Sequence, residues 1–204
     1  MFGLFKTKSK PELLTHPPDL GEGRRVYAIG DIHGRLDLLV DLIDMIAADD
    51  HSRGPTGSTQ LVFLGDYVDR GPDSAGVIDY VLQLRNWWPN ITCLRGNHEE
   101  VFAMAAQGDE SALRFLTRIG GRETLLSYGA TETDLDNMTL GELRDWLTTA
   151  VPQAHRDFLE ELEDKTIIGN YAFVHAGIRP EIPLERSEER RIGKECRSRW
   201  SPYH

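Results

Sequence analysis

Four short stretches of the 204-residue chain combine glycine with aspartate, asparagine or histidine. They read GDIHG from residue 30, GDYVDRG from residue 65, RGNHE from residue 95 and HAG from residue 175. Carboxylate, amide and imidazole groups without a thiolate suit Mn²⁺, Fe or Zn²⁺. Glycine permits tight turns and close backbone approach, so ligands on separate loops could reach one ion. The four motifs therefore predict a metal site, provided that the fold brings them together.

Each motif directly follows a short apolar run, at residues 26–29, 61–64, 91–94 and 171–174. Amphipathic segments separate the first three runs, a pattern that predicts parallel strands joined by helices. The steps from Asp31 to Asp66 and from Asp66 to Asn97 are 35 and 31 residues, close to the length of a strand-helix-strand unit. Ligands collect at the carboxyl ends of such strands. We therefore expect the motifs to meet at one sheet edge.

Residues 99–164 contain no convincing strand and predict helices separated by glycines, with Thr139 and Glu142 as a capping box. Residues 166–168 and 171–174 predict a hairpin that turns at residues 169–170. Three histidines outside the four motifs are expected at the surface, and three of the four tryptophans are expected to pack in the protein. These residues are His16, His51 and His155, and Trp87, Trp88 and Trp146.

The four motifs resemble, in order and spacing, the signatures of the phosphoprotein phosphatases, the metal-dependent serine/threonine phosphatases of the calcineurin-like metallophosphoesterase superfamily. The segment IGGRETLLSYG from residue 119 also resembles the stretch that follows GNHE in bacterial members, where helices cap the site. The resemblance covers residues 24–185. It implies an α/β fold, a four-layered α/β/β/α sandwich that would be incomplete at the C-terminus, with two divalent ions at the strand ends.

The resemblance also implies a role for each matching residue. Asp31 and His33 would bind the first ion, and Asp66 would bridge both ions. Asn97 and His175 would bind the second ion. Mn²⁺ is the favoured metal, with Fe or Zn²⁺ as alternatives. The two ions would lower the pKa of a bridging water, and the resulting hydroxide would attack the phosphorus in line.

Three side chains would handle the phosphate and the leaving group. Arg70 would hold the phosphate, because a guanidinium forms two parallel hydrogen bonds to phosphoryl oxygens, and Asn97 would also contact it. His98, oriented by Asp69, would protonate the leaving oxygen, since a carboxylate neighbour keeps a histidine cationic near neutral pH.

The chain departs from the family pattern at both ends. A later histidine that completes the second ion's ligands in the family, and a second phosphate-binding arginine, have no counterpart, so we expect weak metal binding and reduced stability.

Residues 1–23 are expected to be a flexible extension. Residues 186–204 resemble the translation of a sequencing adapter, with Ile192 in place of valine, and are expected to be non-native, with the catalytic domain at residues 24–185 truncated before them.

Composition narrows the class of protein. The formal net charge of −10 argues against a general nucleic-acid binder, and no apolar run is long enough to span a membrane. Only Cys93 and Cys196 are present, which is typical of a reducing, cytoplasmic environment. The sequence leaves the oligomeric state open.

Three functions stay open at this point. The first is hydrolysis of phosphoserine or phosphothreonine in a phosphoprotein substrate. The alternatives are a symmetrical diadenosine tetraphosphate hydrolase and a non-catalytic fragment. GDYVDRG and GNHE favour the protein phosphatases, and the presence of both His98 and Asp69 favours an enzyme over a binding module.

Overall fold

A computed structural model describes residues 19–177 of the chain. Five strands and eight helices lie in this range. In chain order they are β1 (Arg24–Ile29), α1 (Leu36–Ser52), β2 (Ser58–Phe63), α2 (Ser74–Leu84), β3 (Ile91–Cys93), α3 (Asn97–Ala106), α4 (Glu110–Ile119), α5 (Gly121–Ser127), α6 (Glu132–Asn137), α7 (Leu140–Ala150), α8 (Gln153–Glu161), β4 (Lys165–Ile168) and β5 (Tyr171–Val174).

The first three strands form a parallel sheet in the order β1-β2-β3, as the spacing of the motifs predicted. Alternation along β2 gives the sheet two apolar faces. Leu61 and Phe63 point into the large core formed with the helices, whereas Val62 packs with Ile168 of β4 and with Phe173 of β5. The sheet is therefore covered by helices on one face and by the β4-β5 hairpin on the other.

The hairpin is antiparallel and turns at residues 169–170, as predicted. The described residues thus contain three successive layers of the expected sandwich, namely helices, the parallel sheet and the hairpin sheet. Residues 1–18 and 178–204 lie outside the described residues, and with them most of the expected extension at residues 1–23, the expected domain end at residue 185, His16, Cys196 and the adapter-like tail. Within the described range no helix has the length and apolar character needed to cross a membrane.

The helical region also follows the prediction. Thr139 and Glu142 form the predicted capping box of α7, because the threonine hydroxyl accepts the Glu142 N–H and the glutamate accepts the Thr139 N–H. Trp88 and Trp146 pack against the core as expected. Trp87 does not, since two thirds of its surface is exposed.

The expectation that His155 lies at the surface is wrong. His155 on α8 is buried, with Nδ1 2.8 Å from the Tyr128 hydroxyl and Nε2 3.0 Å from a carboxylate oxygen of Asp79. The ring therefore joins α8 to α2 and to the end of α5. Polar partners from two other elements make the burial of the imidazole tolerable.

Candidate metal centre

The loops after β1 and β2 are hydrogen-bonded to each other through their backbones. The Asp66 carbonyl accepts the N–H groups of Ile32 and His33, both at 2.9 Å, and the Tyr67 carbonyl accepts the Gly34 N–H at 2.8 Å. This pairing brings the first two motifs together at the carboxyl edge of the sheet. It confirms the predicted convergence of the strand ends.

Two histidines direct the same ring nitrogen towards one carboxylate. His33 donates from Nδ1 to the Val68 carbonyl at 2.8 Å, and His175 donates from Nδ1 to the Leu64 carbonyl at 2.9 Å. The Nε2 atoms then lie 3.8 Å and 3.4 Å from the two carboxylate oxygens of Asp66. A backbone acceptor at Nδ1 fixes the tautomer and orients Nε2, as in protein metal sites.

Asp66 belongs to two groups of possible metal ligands. One group joins it to Asp31 and His175, and the other joins it to His33 and His98. Asn97 lies beside the first group, with its side-chain oxygen 3.2 Å from His175 Nε2. Oxygen and imidazole donors on both sides of one buried carboxylate fit two divalent cations.

All five side chains that the sequence assigned as ligands are therefore brought together. His33 Nε2 is also 4.0 Å from an Asp31 carboxylate oxygen, so Asp31 lies near both His33 and His175. His175 and Asn97 lie at the Oδ1 side of Asp66. The division of the ligands between two ions stays a prediction.

His98 and Asp69 form a buried pair next to the ligands. His98 Nδ1 donates to Asp69 at 2.6 Å, and neither side chain has appreciable solvent exposure. Burial by itself lowers the pKa of His98, but the hydrogen bond to Asp69 and the negative charge of Asp66 outweigh it, so the pKa is raised above its ordinary value. A histidine held this way can carry a proton near neutral pH.

Arg70 lies across the mouth of the site. Its two terminal nitrogens donate to His33 Nε2 at 2.8 Å and to His98 Nε2 at 3.0 Å. Because arginine is always charged and only donates, both ring nitrogens must act as acceptors in this arrangement. Proton donation by His98 therefore requires that the guanidinium leave that nitrogen.

Four non-glycine residues near the site have left-handed backbone conformations. They are His33, Asp66, Asp69 and Arg70, with φ between 47° and 72°. Such residues cost about 1–3 kcal/mol each and persist only where their surroundings hold them. The strain marks the loops after β1 and β2 as segments that other parts of the fold must stabilise.

Glu99 is a residue of this site to which the sequence reasoning gave no role. It is buried in α3 and accepts the N–H groups of Asp66, Tyr67, Val68 and Gly96, at 2.7–3.2 Å. Four donors on one carboxylate hold the loop after β2 and the start of α3 together. The signal in the sequence was a glutamate three residues after a glycine at a helix start, a position typical of capping.

Burial and the nearby charge of Asp66 raise the pKa of Glu99 to about 7, although its backbone hydrogen bonds act in the opposite direction. The glycine before α3 explains how the carboxylates come so close. A side chain at Gly96 would collide with Asp66 and with Glu99. Glycine is therefore required at residue 96 for this packing.

Comparison with known proteins shows relatives of more than one kind. The chain is 27% identical over 88% of its length to a symmetrical bis(5'-nucleosyl)-tetraphosphatase of Nitrosospira multiformis, and 30% identical over 80% to one of Dechloromonas aromatica. These alignments cover 53% and 47% of the two relatives. The chain thus spans about half the length of these relatives.

A second kind of relative matches a shorter stretch. A protein of Schizosaccharomyces pombe, provisionally named as a serine/threonine-protein phosphatase, is 41% identical over 36% of the chain and 22% of its own length. All three relatives are phosphatases by name.

The family model of the calcineurin-like phosphoesterases matches residues 24–200. This match covers most of the chain and includes all four strand-end motifs. It agrees with the parallel sheet, the covering helices and the ligand cluster described above, so the predicted metallophosphoesterase fold is confirmed. The chain belongs to the calcineurin-like phosphoesterase family.

Proposed function

We propose that this chain hydrolyses diadenosine tetraphosphate symmetrically, releasing two molecules of ADP, with two divalent cations bound around Asp66. The observation that carries the proposal is that Asp66 lies between two groups of metal ligands, next to Arg70 and the His98-Asp69 pair. The names of the two relatives that align with most of the chain favour this substrate. We therefore place diadenosine tetraphosphate before the phosphoprotein substrate that the motifs first favoured.

The two cations would supply charge neutralisation and a nucleophile at neutral pH. Mn²⁺ fits the oxygen-rich donor set best, and Fe or Zn²⁺ would also suit its imidazoles. The side chains that would hold them are Asp31, His33, Asp66, Asn97 and His175.

The protein's other groups would bind and orient the polyphosphate. Arg70 is exposed and reaches both His33 and His98, so its guanidinium can move onto a phosphoryl oxygen. Asn97 is also exposed at the edge of the site and can donate to the same phosphate. Once Arg70 has moved, His98 Nε2 is free to carry a proton towards the leaving oxygen, while Asp69 keeps the ring in place.

Hydrolysis of phosphoserine or phosphothreonine in proteins is the second candidate. The relative from Schizosaccharomyces pombe favours it, and an alkoxide leaving group has more need of a proton donor such as His98 than ADP has. A cytoplasmic location, and the absence of nucleic-acid and membrane partners, stay predictions for either function.

The test is product analysis with the purified chain and Mn²⁺. Diadenosine tetraphosphate and a phosphoserine peptide are supplied separately, and nucleotides and orthophosphate are quantified. Release of ADP alone from the dinucleotide supports the proposal. Orthophosphate from the peptide without ADP supports the second candidate. ATP with AMP from the dinucleotide contradicts symmetrical hydrolysis, and no product from either substrate contradicts both candidates.

Two aspartate variants connect any activity to the site. Asp66→Asn replaces the shared carboxylate by an amide, which bridges two cations poorly, so activity and Mn²⁺ binding by calorimetry should both be lost. Asp41→Asn on the exposed face of α1 removes the same charge elsewhere and should leave both unchanged. Equal activity in the two variants would exclude Asp66 from the reaction.

A further inference from the structure

Residues 120–127, which we call the cap segment, are hydrogen-bonded to the loop that carries Asp69 and Arg70. The Gly120 carbonyl accepts the Arg70 N–H at 2.8 Å, and Ser127 on α5 accepts the N–H of Ala75 at 3.1 Å. Between these two contacts lies Thr124, which has no solvent exposure. The cap segment is therefore hydrogen-bonded to the loop after β2 and to the start of α2.

Thr124 makes the most direct of these contacts. Its hydroxyl donates to Asp69 Oδ1 at 2.7 Å and accepts the Asp69 N–H at 2.9 Å. The hydroxyl of Ser74 lies 2.9 Å from the hydroxyl oxygen of Thr124, and it also accepts the Asp69 N–H, at 3.0 Å. A carboxylate only accepts, so the single hydroxyl proton of Thr124 goes to Asp69 and the Ser74 proton goes to Thr124.

The two oxygens of Asp69 therefore have different partners. Oδ1 accepts from Thr124, and Oδ2 accepts from His98 Nδ1. The side-chain torsion of aspartate at the carboxylate is broad and two-fold, so one hydrogen bond does not fix its plane. Two donors on opposite oxygens do fix it, and the plane of Asp69 sets the direction of the His98 ring.

We propose that Thr124 is a positioning residue for His98, acting through Asp69. This inference rests on the proposed hydrolysis of diadenosine tetraphosphate for its consequence, since the ring that Thr124 holds is the one placed to protonate the leaving oxygen. The cap segment would thus control the proton donor without touching substrate. Removing the hydroxyl leaves Asp69 Oδ1 buried without a donor and frees the carboxylate to turn.

The first test uses the metal-free chain and needs no activity. Proton NMR should show a downfield signal for the His98 Nδ1 proton, identified by its loss in His98→Gln. Thr124→Val, which keeps the shape of the side chain, should shift or broaden that signal, and Thr124→Ser should restore it. Thr117 is an exposed residue of α4 whose hydroxyl donates to a carbonyl of the same helix, so Thr117→Val should leave the signal unchanged.

The second test measures turnover of the Mn²⁺-loaded chain with two aryl phosphates that differ in leaving group. Thr124→Val should lower kcat for phenyl phosphate at least about tenfold more than for 4-nitrophenyl phosphate, because only the more basic phenoxide depends on proton donation. KM should change little. A general loss of folding would reduce both rates alike.

Each outcome bears on a separate claim. An unchanged His98 signal in Thr124→Val overturns the inference, and so does an equal loss of rate with both substrates. If Thr124→Val does not fold, Thr124→Ala also removes the donor, and a wild-type signal there overturns the inference equally. A signal that depends on Thr124, in a chain that hydrolyses neither diadenosine tetraphosphate nor an aryl phosphate, supports the placement of His98 and contradicts the proposed function.

Discussion

Arg70 donates a hydrogen bond to Nε2 of His33, the ring nitrogen that the backbone orients for metal binding. The same lone pair cannot serve both partners, so a cation at His33 and this contact of Arg70 exclude each other. Arg70 would thus be released from His33 as a cation binds. The guanidinium of Arg70 would then be free to bind phosphate once the cation is in place.

Substitution of Arg70 should therefore change metal affinity and turnover in opposite directions. In Arg70→Ala we expect Mn²⁺ to bind about fivefold more tightly, since a partly exposed charge-assisted hydrogen bond of about 1 kcal/mol no longer competes. Turnover should fall at least about a hundredfold because the phosphate loses its guanidinium. Calorimetry and steady-state kinetics measure the two effects.

Arg118→Ala is the matched control for this prediction. Arg118 is an exposed arginine on α4, and its loss should leave affinity and rate unchanged. Weaker Mn²⁺ binding in Arg70→Ala would show that the guanidinium does not compete with the cation.

Substitution of Glu99 should disrupt the site from beneath. In Glu99→Gln the amide group would face two of the four backbone N–H donors. We expect a loss of about 3 kcal/mol in the free energy of unfolding, because buried donors lose their acceptor. Mn²⁺ affinity should fall at least about tenfold, since Asp66 lies in the loop that is released.

The next residue provides the comparison. Glu100→Gln makes the same chemical change on α3 at a half-buried side chain. Its stability, measured by urea unfolding, should stay within about 0.5 kcal/mol of the parent. Similar losses in both variants would mean that the backbone contacts of Glu99 contribute little.

The two histidines expected at the surface should differ sharply. His155→Ala leaves the buried Tyr128 hydroxyl without its partner and opens a cavity between α2 and α8, so we expect a loss of about 2–3 kcal/mol. His51→Ala at the exposed end of α1 should change stability little. Urea unfolding of both variants is the measurement, and a small effect in His155→Ala would contradict the structural role of the ring.

Acidification should destabilise the starts of helices α4, α6 and α7. Hydrogen bonds to Ser111, Thr131 and Thr139 lower the pKa values of Asp109, Asp134 and Glu142 from their ordinary values of 3.8 and 4.5. Carboxyls with lowered pKa take up protons more readily in the unfolded chain, so their contribution is present above about pH 4.5 and is lost as the pH falls through the folded values.

Urea midpoints between pH 7 and pH 3 measure this loss. Glu142→Gln should be less stable than the parent at pH 7 and should show a shallower decline, because one of the titrating groups is gone. Identical pH dependence in the two proteins would exclude Glu142 as a contributor.

The sequence was sufficient to predict the positions of the ligands but not what holds them in place. Asp31, Asp66 and Asn97 each follow an apolar strand, and parallel strands necessarily end at one edge, so their convergence follows from local patterns. Thr124 and Glu99 act through buried contacts with loops 55 and about 30 residues away. Local periodicity carries no information about such contacts.

His155 shows the same limit from the other direction. Helical spacing from Phe158 and Leu159 places His155 on the buried face of α8, but the partners that satisfy its ring come from α2 and from the end of α5. Trp87 was expected to pack, yet it lies in the exposed turn after α2. The polar partners of His155 and the exposure of Trp87 both depend on how elements pack against each other, which is decided outside the local sequence.

The carbonyl of Asp66 accepts two N–H groups from the loop after β1, while the side chain of the same residue lies between the metal ligands. An inserted or deleted residue in either loop would move this peptide group and the carboxylate at once. The two loops must therefore keep a fixed length relative to each other during evolution. Variation that alters substrate preference is then left to segments that make no contact with these two loops.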